Sequence, residues 1–128
     1  MSTINYHNST LSQTGPAYSH AVFDGNYAFL AGQLAADATH RNVRFGDIAD
    51  ETRASMELLQ GVLREIGLDF TDVVKVSVHL SDDRNFDAMN AVYRSFFPPG
   101  KLPARTTVIT RLLFGCLVEI DCIARLRK

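Results

Sequence analysis

Arg105 follows Leu102-Pro103-Ala104, so a rigid proline turn delivers a guanidinium to the start of a strand. A guanidinium fixed in this way suits bidentate capture of a substrate carboxylate. It equally suits a surface ion pair, or a bridge to Glu119. Glu119 and Asp121 lie two residues apart, which puts both carboxylates on one face of a strand. Such a carboxylate, partly buried near an arginine, can orient or activate a water; left exposed, it is charged surface. Ser77 and His79 also share a strand face, but the G-x-S-x-G turn of an activated serine is absent. Gly32 stands near the end of a strand, where a missing Cβ permits close backbone approach to a ligand or an ordinary turn. Asn90 is a polar residue beside Met89 in a helical pattern, and a buried amide there needs a partner. Tyr18 and Tyr93 read as half-buried aromatics.

These residues need a scaffold. Residues 19–23 and 27–31 are short apolar runs split by Asp24-Gly25-Asn26, a hairpin signal. Residues 36–46 read as a polar loop. Ile48, Thr52, Ser55, Met56, Leu59, Val62, Leu63 and Ile66 recur at spacings of three and four, predicting a helix capped by Asp47 and closed by Gly67. In residues 72–81, Val74, Val76, Val78 and Leu80 alternate with Lys75, Ser77 and His79. A second helix is expected from an Asp83 cap, with Phe86, Met89, Tyr93, Phe96 and Phe97 as its apolar stripe and Pro98-Pro99-Gly100 as its stop. Strands over about residues 105–112 and 116–126 complete the order β-β-α-β-α-β-β. Two helices on one face of a single sheet give a two-layer α+β sandwich. The other face is expected to carry Lys75, Ser77, His79, Arg105, Thr107, Ile109, Glu119, Asp121 and Ile123. Its isoleucines favour burial in an oligomer.

The 128 residues amount to a single domain, residues 1–128. Hydrophobic residues are 46% and charged residues 21%, so the chain can build a core. Lys+Arg is 13 and Asp+Glu 14, a formal net charge of −1 without the basic stripe of a nucleic-acid binder. No apolar run reaches the ~20 residues of a membrane span, and residues 1–7 show no basic start followed by an apolar stretch, so a cytoplasmic location is expected. Cys116 and Cys122, six apart in one expected strand, would sit ~20 Å apart and cannot pair. The four histidines show no paired metal-ligand spacing.

Gly15-Pro16-Ala17-Tyr18-Ser19-His20-Ala21-Val22, Ala31-Gly32-Gln33-Leu34, Asp72-Val73-Val74-Lys75-Val76, Met89-Asn90-Ala91-Val92-Tyr93, Phe96-Phe97-Pro98, Pro103-Ala104-Arg105-Thr106-Thr107 and Val118-Glu119-Ile120-Asp121 run in order. This series resembles the RidA (YjgF/YER/L-PSP) family of reactive-intermediate imine deaminases, from about residue 15 to the end. The resemblance implies a chorismate-mutase-like mixed sheet with two helices on one face. It further implies a homotrimer with a site in each cleft between subunits. The implied activity is hydrolysis of 2-imino acids and their enamine tautomers to 2-keto acids and ammonia, without metal or organic cofactor. Arg105 then matches the family's carboxylate-gripping arginine and Glu119 its water-positioning glutamate. Tyr18, Gly32, Asn90 and Thr107 match pocket positions. The chain departs from the family at Ala31, where many members have serine, at the extra residue before Tyr18, and at Thr107, which is cysteine in some members. A paralogous pathway deaminase, for example of the aminomuconate type, and a non-catalytic binder of small carboxylates are the alternatives. The near-neutral charge argues against a ribonuclease.

Overall fold

The sheet begins with a strand that no alternation announces, β1 (Asn5–His7), which lies antiparallel to β2 (Ala21–Phe23) and forms one edge. His7 Nε2 sits 2.7 Å from Glu65 Oε1, tying that edge to the first helix. The computed structural model describes residues 3–10, 17–38 and 43–127. Gly15, Pro16 and positions 39–42 of the expected loop lie outside these residues. β2 and β3 (Tyr27–Leu34) form the expected hairpin. Asp24 holds its turn by accepting the amides of Asn26 and Tyr27 at 2.7 and 2.9 Å.

α1 (Ile48–Glu65) follows a loop, with Asp47 accepting from the Asp50 amide at its start. It ends as the sequence predicts. Gly67 takes a φ of +83°, and the Leu68 amide reaches back to the Leu63 carbonyl at 2.8 Å. β4 (Val73–Leu80) alternates, with one correction. A register shift between Val73 and Lys75 puts Val73 in the core and leaves Val74 exposed. The shift is a bulge, which moves one residue to the opposite face.

α2 (Phe86–Arg94) is shorter than the sequence predicts. Asp82, not Asp83, provides a cap, and it caps a 3-10 turn over Asp83–Asn85 that leads into the helix. Beyond Arg94 the chain tightens: the Ser95, Phe96 and Phe97 amides bond three residues back, and the Ser95 hydroxyl donates to the Val92 carbonyl. Phe97 still reaches the core, so the apolar stripe outlasts the helix.

β5 (Ala104–Ile109) and β6 (Val118–Arg125) complete a six-stranded sheet of order β1-β2-β3-β6-β4-β5. Among the described residues only the β4–β5 pair is parallel, so the sheet is mixed. Both helices pack on one face, where Met56, Leu59, Leu63, Met89, Val76, Val78, Ile120 and Cys122 form the main core. Cys116 precedes β6 instead of lying within it; both cysteines are buried free thiols. No helix is long and apolar enough to cross a membrane among the described residues.

Glu51, 1% exposed, lies inside the first turn of α1. Its carboxylate accepts the Gly46 amide at 2.7 Å and the Leu117 amide at 2.8 Å. One side chain thereby joins the loop before α1 to the turn before β6. Glu51→Ala leaves two amides without partners and costs about 3 kcal/mol of stability. Chemical denaturation checks this; a loss under about 1 kcal/mol would mean that water replaces the carboxylate.

Candidate active site

The register decides where the chemistry lies. In β4–β5, Val76 is opposite Arg105 and Val78 opposite Thr107. Opposed residues of a parallel pair point to the same side, so Arg105, Thr107 and Ile109 share the helix-covered side with Val76 and Val78. The expectation that these three join Glu119 on the uncovered face is therefore wrong. Alternation alone gives two strand faces but not which one meets the core. The short crossover through α2 and the Pro103 turn fixes that choice. Ala104, Thr106 and Val108 take the open side instead, and Lys75 Nζ donates to Thr106 Oγ1 there at 2.8 Å.

Arg105 is half-buried beneath α2. Its guanidinium carbon lies 4.8 Å from the Tyr93 ring centre and 5.7 Å from that of Phe86. Nη1 approaches Met89 Sδ at 4.0 Å. Two cation–π contacts and one N–H bond to a soft sulfur fix the group and leave the other N–H donors for a ligand. No ion pair to Arg105 exists among the described residues, so the surface-pair and Glu119-bridge readings both fail. Asn90, Tyr93, Arg94, Leu102, Pro103 and Arg105 line a cleft of about 220 Å³. Asn90 Oδ1 and the Tyr93 hydroxyl are buried beside it without hydrogen-bond partners. Burial pushes the Tyr93 phenol up to about 12, against the opposing pull of the Arg105 charge, so the hydroxyl keeps its proton.

Glu119 lies on the open side, opposite His79 in β4 and Leu34 in β3. Its carboxylate folds against Gly32. A Cβ on that glycine would stand 2.9 Å from Glu119 Oε2 and 3.0 Å from Cδ. The glycine serves the glutamate by leaving this space, at a point where the β3–β6 register shifts between Leu30 and Gln33. Burial raises the Glu119 carboxyl above its ordinary range; His79 opposes the shift, and Asp37 and Asp121 add to it. Asp121 is raised in the same way by burial, opposed by His79 and by a hydrogen bond from Ser77. Ser77 thus serves a carboxylate, not a serine–histidine pair.

Tyr18 is exposed and meets His20 edge-on, with ring centres 6.3 Å apart. The Ala31 amide donates to the His20 carbonyl at 2.9 Å, so the Tyr18 segment runs beside the Gly32 end of β3. The sequence-predicted residues thus fall into two groups: Arg105 with Asn90 and Thr107 on the helix side, and Glu119 with Gly32 and the Tyr18 segment elsewhere on the sheet. A single chain does not bring them together. Phe86, Met89 and Tyr93, which hold Arg105, read in the sequence only as a core stripe; their spacing onto one helix face was the available signal.

Gly32→Ala leaves the backbone conformation allowed and displaces only the end of a flexible side chain. The expected result is a loss of about tenfold to a hundredfold in kcat, with little change in Tm. An unchanged kcat would show that the Glu119 position is not critical.

The comparisons with known proteins agree with this architecture. The family model described as Endoribonuclease L-PSP matches residues 10–126. The chain is 41% identical over 111 residues to a RutC family protein of Pyrococcus horikoshii, covering 86% of each. It is 35% identical over 109 residues to the 2-iminobutanoate/2-iminopropanoate deaminase of Rattus norvegicus, covering 84% of this chain and 79% of that one. The crystal structure of the Escherichia coli YjgF gene product superposes with a TM-score of 0.86 at 28% identity, over 96% of this chain and 99% of that one. The chain belongs to the RidA (YjgF/L-PSP) family. Its α+β fold, a mixed sheet with two helices on one face, is that family's fold.

Proposed function

We propose that the protein hydrolyses 2-imino acids, with their enamine tautomers, to 2-keto acids and ammonia. The observation that carries this reading is Arg105: a guanidinium held against two aromatic rings of α2, lining a small cleft, with no carboxylate partner among the described residues. The deaminase name of the rat relative supports the same chemistry.

A protonated imine is already electrophilic at carbon 2. Arg105 holds the substrate carboxylate with two parallel N–H donors. Glu119 accepts a proton from water as its oxygen bonds to carbon 2, giving a carbinolamine. That proton then passes to the nitrogen. The carbon–nitrogen bond breaks, the hydroxyl proton passes to Glu119 as the keto group forms, and Glu119 gives it to the departing ammonia, which leaves as ammonium and restores the carboxylate. Only the elements of water are consumed.

Arg105 and Glu119 lie on opposite sides of one sheet, so we assign the site to the junction of two copies, one giving Arg105 and the other Glu119. A homotrimer with three such junctions is the arrangement proposed. The exposed Tyr27 and Phe29, and Val108 on the open side of β5, give that face the apolar surface an interface requires.

The test is ammonia release from freshly generated 2-iminopropanoate and 2-iminobutanoate, coupled to sedimentation. Turnover by a trimer is expected. Arg105→Ala and Glu119→Gln chains, each inactive alone, are then refolded together. In a randomly mixed trimer with shared sites, about a quarter of the sites carry both native groups, so activity returns. No return in verified mixed trimers rules out shared sites. Absence of turnover with retained 2-keto acid binding would assign the chain to non-catalytic carboxylate binding.

A further inference from the structure

We infer that the cleft takes an imino acid with a second carboxylate, and that Arg94 is the residue that selects it. This deepens the reading above and rests on it.

Arg94 lines the cleft together with Arg105. It sits one helical turn beyond Asn90 on α2, so the two residues share a face of that helix. Arg105 enters the same cleft from β5. Neither guanidinium forms an ion pair among the described residues, whereas Arg53, Arg64, Arg84 and Arg127 each meet an aspartate. Two unneutralised cations lining one small cleft repel each other and concentrate anions between them. A ligand with one carboxylate relieves one cation; a ligand with two relieves both. Leu102, Pro103 and the Tyr93 ring line the same cleft and offer apolar surface suited to the methylenes that separate two carboxylates. At about 220 Å³ the cleft is several times the ~30 Å³ that one water occupies in the liquid, leaving room for such a chain. The substrate class is therefore a 2-imino dicarboxylic acid, the oxidation product of an acidic amino acid. Arg105 grips the carboxylate beside the imine, and Arg94 meets the distal one.

The experiment compares kcat/KM for the imines of glutamate and alanine, each generated in situ by an amino-acid oxidase. The wild-type protein is expected to favour the glutamate-derived imine by about tenfold or more, the scale of one charge-assisted contact. Arg94→Gln should bring this ratio close to one, and Arg94→Lys should restore part of it. A residue that merely complements the helix terminus would leave the ratio unmoved. A wild-type ratio near one, or a ratio that Arg94→Gln leaves intact, overturns the inference. If no imine is turned over, the deaminase reading fails, and calorimetry of 2-oxoglutarate against 2-oxobutanoate still decides the role of Arg94. Preference for the diacid must then be present in the wild type and lost in Arg94→Gln.

Discussion

Arg105→Ala is expected to lower kcat/KM on 2-iminopropanoate by about a thousandfold while the protein stays folded. Two charge-assisted hydrogen bonds to the substrate carboxylate disappear, and with them the orientation of carbon 2. Arg105→Lys is expected to recover little. An ammonium can neutralise a carboxylate, but it cannot offer a planar fork, and it stacks less well on Phe86 and Tyr93. Initial rates at several substrate concentrations, with a thermal melt of each variant, check this. Stability should change little, because Arg105 has no carboxylate partner whose charge would be stranded. A drop of less than about tenfold for the alanine variant would remove Arg105 from the site.

Glu119→Gln is the second large effect. It keeps the shape against Gly32 and removes the base, so kcat should fall by about 10²–10⁴, with KM much less affected. The pH profile gives an independent check. Burial raises the Glu119 carboxyl in the folded chain, so its base form develops only as pH rises through a value above the ordinary 4.5. The acidic limb of kcat/KM should therefore lie above that value in the wild type and disappear in Glu119→Gln. The stability sign follows from the same shift. A carboxyl raised on folding favours the folded state below its unfolded value, and that contribution is lost as pH rises through the folded value. Glu119→Gln should accordingly stabilise the protein at neutral pH and lose the advantage at low pH. A glutamine variant with full activity would exclude the glutamate from catalysis.

Much of the fold was legible because its signals are local. The 3.6-residue repeat of α1, its Asp47 and Gly67 ends, and the Asp24-Gly25-Asn26 hairpin are each decided within a few residues. β1 was not legible, since three residues without alternation acquire strand geometry only by pairing with β2. The end of α2 depended on competition between backbone and the Ser95 hydroxyl, which residue spacing does not weigh. The site was half legible. Residue type singled out Arg105 and Glu119, but which side of the sheet Arg105 faces depends on the parallel register with Val76, a contact across 29 positions of sequence (105 less 76). The packing of Gly32 against Glu119 was not legible for a related reason. Its value lies in the space that a glutamate 87 positions away (119 less 32) occupies.

The placement of Arg105 and Glu119 on opposite sides of one sheet has a consequence for how the protein behaves on dilution. In the proposed shared site a lone protomer carries both groups but does not apply both to one substrate molecule. Specific activity should then depend on protein concentration, falling as copies separate even while each chain keeps its helices and sheet. Loss of function and loss of structure would become separate events.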